Sequence, residues 1–397
     1  MAALATAYWV ATTLVVYPYL IYPALLAVRA RFRPRPIRRR PLDASFRPTV
    51  SVVITAYNEA EAAARRVREF RRAIEAEGLM GEVIVVSDGS TDGTAAAARA
   101  AGAEPGAVPL TVVDLPANGG KAIALNAGFA AATREVVFVA DTRQVWAQDA
   151  LSRMLENFGD PEVGAVCGEL VIESAPGVMA GVGLYWTFEK WMRRNEGLVH
   201  SMVGVTGAIA AVRRSLFRPI PAGCVLDDVD WPLGVAQQGY RVVFDGRARA
   251  MDRLPEVIRA EFRRKVRTLS GNFQLVQSRP ELLFPWKNPV WFALLSHKLA
   301  RLTVPWALLV TLAASATIGG PVYGGLFVLQ ASGMLVGLAG LWPPLARRSK
   351  LASAAGSFLV LNAAAFVGFW VWATGRTSSA WTRTQYAAPV AGLEAAS

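Results

Sequence analysis

Three long stretches of the chain carry no charged side chain, and they frame a middle in which short and long apolar periods alternate. The uncharged stretches are residues 1–28, 302–346 and 351–375. A membrane-crossing helix takes about 20 mainly apolar residues. Leu4–Ala27 therefore predicts one span, in which Pro18 and Pro23 are tolerable. The second stretch is long enough for two, divided at the turn signal Gly319-Gly320-Pro321. Leu351–Gly375 predicts a fourth.

Between Arg47 and about Ala250 the texture changes. Short β-branched runs occur at Val50–Thr55, Val83–Ser87, Leu110–Val113, Val136–Ala140, Gly164–Val166 and Arg241–Phe244. Alanine-rich helical stretches lie at about Glu59–Glu77, Asp92–Ala101, Gly120–Ala132 and Ala147–Phe158. This alternation predicts an α/β domain with a mostly parallel sheet covered on both faces. Such sheets bind ligands beyond the carboxyl ends of their strands. There the sequence places Tyr57-Asn58-Glu59, then Asp88-Gly89-Ser90-Thr91-Asp92-Gly93, then Asn118-Gly119-Gly120-Lys121, then Asp141-Thr142-Arg143-Gln144.

Apolar residues make up 53% and charged residues 18%, which excludes a disordered chain. Two cysteines, Cys167 and Cys224, exclude a disulfide scaffold and read as small core residues. With only His200 and His297, a histidine metal cluster or His-based triad is disfavoured, and His297 reads as structural. The net charge of +12 is placed rather than spread. Residues 29–47 hold eight arginines against Asp43, and 253–267 hold six basic residues against Glu256 and Glu261. A signal peptide carries its positive charge before the apolar run, whereas here it follows, as for an anchor. Positive charge favours the cytoplasmic side. The 29–40 arginines, Lys298 with Arg301, and Arg347–Lys350 agree in placing the middle of the chain there and both termini outside. If the fourth segment does not cross, the tail with Arg376 and Arg383 is cytoplasmic instead. Beside membrane segments this charge suits lipid headgroups and not nucleic acid. Two aromatic stretches, Gly183–Gly197 and Phe273–Trp291, read as interfacial. The organisation expected is an N-terminal span (1–28), a basic linker (29–47), a catalytic domain (48–252), an amphipathic region with an R-x-x-R motif (253–301), three spans (302–375) and a tail (376–397).

Gly89 and Gly93 allow tight turns near a ligand. Asp88 can accept hydrogen bonds from a ribose or base, or cap the helix near Asp92. Gly119-Gly120-Lys121 offers amides and a cation to phosphate. Neither GxxxxGK[ST] nor a GxGxxG after the first strand is present, so this is no P-loop or dinucleotide fold. Asp141 at a strand end suits Mg²⁺ or Mn²⁺, a hard cation held by one or two carboxylates plus phosphates.

This ordered set resembles the family 2 glycosyltransferases, in particular the membrane-embedded branch that includes cellulose, hyaluronan and chitin synthases. The resemblance runs from about Val50 to the C-terminus. It implies a GT-A-type domain binding a nucleoside diphosphate sugar, UDP preferred, with Tyr57 and Glu59 in the nucleotide-contacting turn. VVSDGSTDGT is similar to the strand whose Asp, here Asp88, faces the nucleotide, and GGKAIALNAG to the Gly-Lys loop of Lys121. ADTRQ takes the DxD place, with Asp141 as metal ligand and Arg143, where a second Asp belongs, as a direct contact to phosphate. VTGAIAAVRR, with Gly207, resembles the acceptor-side loop and its following helix. LDDVDWPL resembles the TED or GDD signature, which makes Asp228 the base and Asp227 a substrate contact. Arg264–Thr268 falls at QxxRW, keeping Arg267 and replacing the Gln by Arg264 and the Trp by Thr268. An extra arginine favours diphosphate, and loss of the Trp argues against processive elongation. The implied reactions are inverting synthesis and export of a polysaccharide, or transfer of one sugar to a lipid or lipid-linked acceptor. A non-catalytic membrane protein is the third reading, and a glycosidase pair of Asp141 and Asp228 the rival chemistry. An accessory protein is left open. Asp227, Asp228 and Asp230 also read as a solvated acidic loop, and residues 263–267 as a headgroup-binding helix.

Overall fold

The computed structural model describes residues 1–173, 180–253 and 258–378. The β-branched runs form one eight-stranded sheet: β1 (Val50–Ala56), β2 (Gly81–Asp88), β3 (Leu110–Leu115), β4 (Val136–Asp141), β5 (Val145–Trp146), β6 (Val163–Glu173), β7 (Ile209–Arg213) and β8 (Arg241–Arg253). The order is β3-β2-β1-β4-β7-β6-β8-β5. β1 runs parallel to β2 and β4, β2 to β3, and β6 to β8, whereas β7 is antiparallel to β4 and β6 and β5 to β8. Successive strand residues face opposite sides. Val52, Ile54 and Phe138 pack with Val67, Phe70 and Ile74 of helix Ala60–Ala76 on one face. Val53, Val137 and Val139 pack with Leu125 and Phe129 of helix Lys121–Ala131 on the other. Burying each such side chain stabilises by roughly 1.5–3 kcal/mol.

One predicted element changes type. The stretch Val205–Arg214, expected as a loop running into a helix, contains β7. Ile209 and Ala211 fall in one core and Ala210 and Val212 in the other. A short segment buried on both faces gains more as a strand between β4 and β6 than as a helix. β6 and β8 also run well beyond the predicted Gly164–Val166 and Arg241–Phe244.

Four helices are long and apolar enough to cross a membrane: Ala2–Phe32, Trp291–Ile318, Gly320–Ala339 and Lys350–Ala373. The second begins before its uncharged stretch and so carries His297, Lys298 and Arg301. Two other long helices, Ala180–Val199 and Ile258–Ser278, occupy the regions expected to be amphipathic. Tyr22 donates to Glu196 Oε1 at 3.0 Å, and His297 sits between Glu196 (2.8 Å) and Glu189 (3.1 Å). Arg301 also bonds Glu189. His297 thus ties helix Ala180–Val199 to the second apolar helix, and Tyr22 ties it to the first. Val225, Leu226, Val229 and Leu233 pack with Leu275, Val290 and Leu294, so the helix Asp227–Gln237 rests against the start of the second apolar helix.

Candidate active site

β2 ends at Asp88, which has no exposed surface. Its carboxylate accepts the backbone N–H groups of Gly119 (2.9 Å) and Gly120 (2.8 Å). Burial raises its pKa and outweighs these two bonds, which lower it. Asp88 therefore shapes the loop ahead of Lys121. Gly93 is the N-cap of the helix starting at Thr94, and Asp92 before it accepts the Thr94 N–H at 3.0 Å. Gly89 has φ +66°, and a Cβ there would lie 2.3 Å from the Ala117 carbonyl carbon. Only glycine lets the β2 and β3 loops touch. The β1 loop joins them through Asn58, whose N–H meets Ser90 Oγ at 3.0 Å and whose Oδ1 accepts the Thr91 N–H at 2.8 Å. Tyr57 lies half-buried beside it. Glu59 accepts the Thr142 hydroxyl at 2.6 Å. Burial raises its pKa, the Asp141 charge adds to this, and Thr142 and Arg143 oppose it.

β4 ends at Asp141, which meets Lys121 Nζ at 2.6 Å. Lys121 also donates to the Gly207 carbonyl at 3.3 Å. A Cβ on Gly207 would lie 2.9 Å from Lys121 Nζ and 3.8 Å from Asp228 Cβ, so the missing side chain is what lets the three approach. The Asp228 carbonyl accepts the Val205 N–H at 2.8 Å, fastening this loop to the first turn of helix Asp227–Gln237. Asp227, Asp228 and Asp230 all lie in that turn, where the helix dipole favours negative charge. They are not one solvated loop. Asp230 is buried and bonded to Arg279 at 3.0 Å. Asp228 is half-exposed, and among the described residues no side chain hydrogen-bonds its carboxylate. Asp227 is buried with Oδ2 unpartnered. Its carboxyl is pushed up to about 7 by burial, with Asp228 and Asp141 adding and Lys121 and Arg267 opposing. Burial works to lower the Lys121 pKa, but the charges of Asp141, Asp227 and Asp228 prevail and raise it.

Arg143 takes a different position from the one its motif suggests. It forms a two-pronged pair with Asp252 at the end of β8 (Nε–Oδ1 2.8 Å, Nη2–Oδ2 2.6 Å), and Gln144 adds a third bond at 3.0 Å. Arg267 is exposed on helix Ile258–Ser278, and Arg264 is half-buried one turn earlier. Lys265 turns the other way, over the rings of Tyr185 (4.6 Å) and Trp186 (5.9 Å). Thr268, in the place of the Trp, offers no ring, and its hydroxyl bonds the Arg264 carbonyl of its own helix at 3.0 Å. The sequence reading passed over Asp252 and Arg193, which bonds the Thr206 hydroxyl. No local motif marks either.

The mostly parallel sheet and its strand-end loops define a glycosyltransferase domain of the GT-A type. The profile of "Glycosyl transferase family 2" matches residues 51–220, and that of "Glycosyl transferase family group 2" matches residues 136–370. The chain belongs to the family 2 glycosyltransferases and is an enzyme of that class. It is 27% identical over 203 residues to the poly-β-1,6-N-acetyl-D-glucosamine synthase of Staphylococcus aureus (strain COL), covering 49% of this chain and 48% of that one. The synthase of the same name from Staphylococcus epidermidis is 25% identical over 235 residues, 57% of this chain and 55% of that one. The chain spans about half the length of the curated relatives it matches. A solved structure of the mannosyltransferase PcManGT from Pyrobaculum calidifontis, in complex with GDP-Man and Mn²⁺, superposes with a TM-score of 0.69. That likeness covers 94% of this chain and 99% of the other at 23% identity, which shows a shared fold.

Proposed function

We propose that the protein transfers a sugar from a UDP-sugar to an acceptor hydroxyl with inversion, building a polysaccharide that leaves through its membrane helices. The catalytic domain would stand on the cytoplasmic face of a multi-pass enzyme. The meeting of Asp141, Lys121 and Asp228 around Gly207, beyond the strand ends, carries this reading. The names of the staphylococcal relatives support a polymer product.

Asp228 is the one acid of its helical turn left half-exposed, so it is placed to take the acceptor proton. The acceptor oxygen bonds to the anomeric carbon as the bond to diphosphate breaks on the opposite face, which inverts that centre. Positioned proton removal of this kind is worth about 10²–10⁴-fold. Lys121 would meet the departing diphosphate, with Arg264 and Arg267 beyond it. Asp141, Asp227 and Asp228 lie near Lys121, Glu59 lies near Asp141, and burial and mutual repulsion raise Glu59 and Asp227. Among the described residues no group of three or more His, Cys, Asp or Glu could hold a metal alone. The clustered acids fit a divalent cation held by one carboxylate and the donor's phosphates. Asp141, 30% exposed, would hold Mg²⁺ or Mn²⁺, and the bound ion would supply charge neutralisation of the leaving group.

The self-bonded Thr268 favours a second reading, transfer of a single sugar to a lipid-borne acceptor. The two separate by product. Purified enzyme given UDP- and GDP-sugars with Mg²⁺ or Mn²⁺ should release nucleotide with one donor and yield a high-mass glycan. A lipid-soluble product bearing one added sugar would establish the second reading. No release with any donor and acceptor tested would overturn both.

A further inference from the structure

The helix Lys350–Ala373 has 24 residues and a length of about 36 Å, enough to cross a hydrocarbon core of about 30 Å. A helix that crossed would have its ends at opposite faces. Here the start packs on the close of the third apolar helix and the end on helix Ile258–Ser278, which lie on one face if the other three apolar helices cross in alternation. At its start, a Cβ on Gly340, at the close of the third apolar helix, would lie 1.9 Å from the Ala352 carbonyl oxygen. Phe358 meets the Tyr19 ring edge-on at 5.6 Å, and Arg301 lies 5.8 Å over that same ring. Further along, Phe366 and Phe369 pack on Trp306 at 4.6 and 5.5 Å. Arg301 and Trp306 are five residues apart, about 8 Å of rise, and the Trp306 side chain leans back toward the start of its helix. At its end Trp372 stacks on Phe273 at 5.4 Å and donates to Gln277 Oε1 at 2.8 Å, both on helix Ile258–Ser278. Basic residues flank both ends, Arg347, Arg348 and Lys350 before and Arg376 after. A crossing helix would put one of these groups on the disfavoured side.

Taking the other three apolar helices as spans, we propose that Lys350–Ala373 does not cross but lies along the catalytic face of the membrane and braces the helix that carries Arg264 and Arg267. The brace is built on two glycines. A Cβ on Gly368 would lie 3.1 Å from Ser270 N and 3.3 Å from Leu269 Cβ and the Val266 carbonyl oxygen. On the opposite side, a Cβ on Gly271 would meet Leu226 at 2.8 Å and Val225 at 3.0 Å. Gln274 completes that contact, donating to the Gly223 carbonyl at 2.9 Å and accepting the Val225 N–H at 3.1 Å. Leu226 immediately precedes Asp227 and Asp228. The arginine helix is therefore held between the Lys350–Ala373 helix and the turn that leads into the acids, and Gly368 and Gly271 are positioning residues.

The topology is tested without any assay of turnover. Single cysteines Arg33→Cys and Arg376→Cys, each in a Cys224→Ser background, are labelled with a membrane-impermeant maleimide in right-side-out and inside-out vesicles. Labelling of both in the same vesicle orientation is expected. Labelling of Arg376→Cys in the opposite orientation would overturn the proposal. The bracing role rests on the glycosyltransferase reading and is tested by kinetics. Gly368→Leu should raise the donor KM about three- to tenfold with a smaller change in kcat, and Gly368→Ala should recover most of it. An unchanged donor KM in folded Gly368→Leu enzyme overturns the bracing role. Should that variant not fold, Trp372→Phe removes the bond to Gln277 while keeping an aromatic ring toward Phe273, and the same rise in donor KM, smaller in size, is required.

Discussion

Asp227 and Asp228 are neighbours in sequence with opposite surroundings, and the difference sets what each can do. Asp228 keeps a partly exposed carboxylate, whereas Asp227 is buried beside Lys121, Asp228 and Asp141. Asp228→Asn should lower kcat by about 10²–10⁴-fold with an unchanged melting temperature, and full turnover in that variant would remove the base. Asp227 has the opposite signature. Its folded pKa of about 7 exceeds the ordinary 3.8, so between these values the folded state holds a proton that the unfolded chain releases. Stability must then fall as pH rises from about 4 to about 7. Asp227→Asn should flatten that slope, seen by comparing melting temperatures at pH 5 and pH 8. Arg143 is a third case. Its fork with the buried Asp252 means that Arg143→Asp, although it restores a DxD pattern, sets two carboxylates together. That variant should melt lower than the parent and gain no metal affinity by titration calorimetry.

Among the elements, the loops at the strand ends hold the site and their glycines hold the loops. Gly207 leaves room for Lys121, whose Nζ lies 2.9 Å from where a Cβ would stand, with Asp228 Cβ in ordinary contact at 3.8 Å. In Gly207→Ala the flexible Lys121 must move from Asp141, while β7 behind the loop stays paired with β4 and β6. The fold should persist by circular dichroism and kcat should fall about tenfold or more. A wild-type rate in that variant would refute the close approach as a requirement. Gly89 differs, since its positive φ and its contact with the 117–118 backbone leave no flexible neighbour to give way. Asp88 belongs to this scale too, because its work in the fold is to hold the Gly119–Gly120 amides.

For the molecule as a whole, the catalytic domain is joined to the apolar helices by both a hydrophobic and a polar contact. Leu226 and Val229, beside the acids, pack on Val290 and Leu294, and His297 and Arg301 bond the glutamates of helix Ala180–Val199. The helix that begins with Asp227 and Asp228 is thus packed against the apolar helices. At this scale the charge around Lys121 predicts that EDTA abolishes turnover and that Mn²⁺ or Mg²⁺ restores it, followed by nucleotide release. Full turnover in excess chelator would show that Lys121, Arg264 and Arg267 suffice.

Much of this was legible along the chain. The alternating runs specified a parallel α/β sheet because buried strands need continuous β-branched residues, and the uncharged stretches specified the apolar helices because charge is costly in lipid. The strand-end motifs named Lys121 and Asp141 because ligands gather where parallel strands end, whereas Asp228 was named only by the resemblance of LDDVDWPL to a family signature. Tertiary structure alone decided the rest. Whether Ile209–Arg213 became strand or helix depended on the slot between β4 and β6. The Arg143–Asp252 pair joins residues 109 apart in sequence, and no local pattern encodes a partner that distant. The same holds for Asp88, whose carboxylate meets amides 31 and 32 residues away, and for the lie of the Lys350–Ala373 helix. Apolar composition sets how strongly a helix prefers lipid, but its direction there is set by what it packs against.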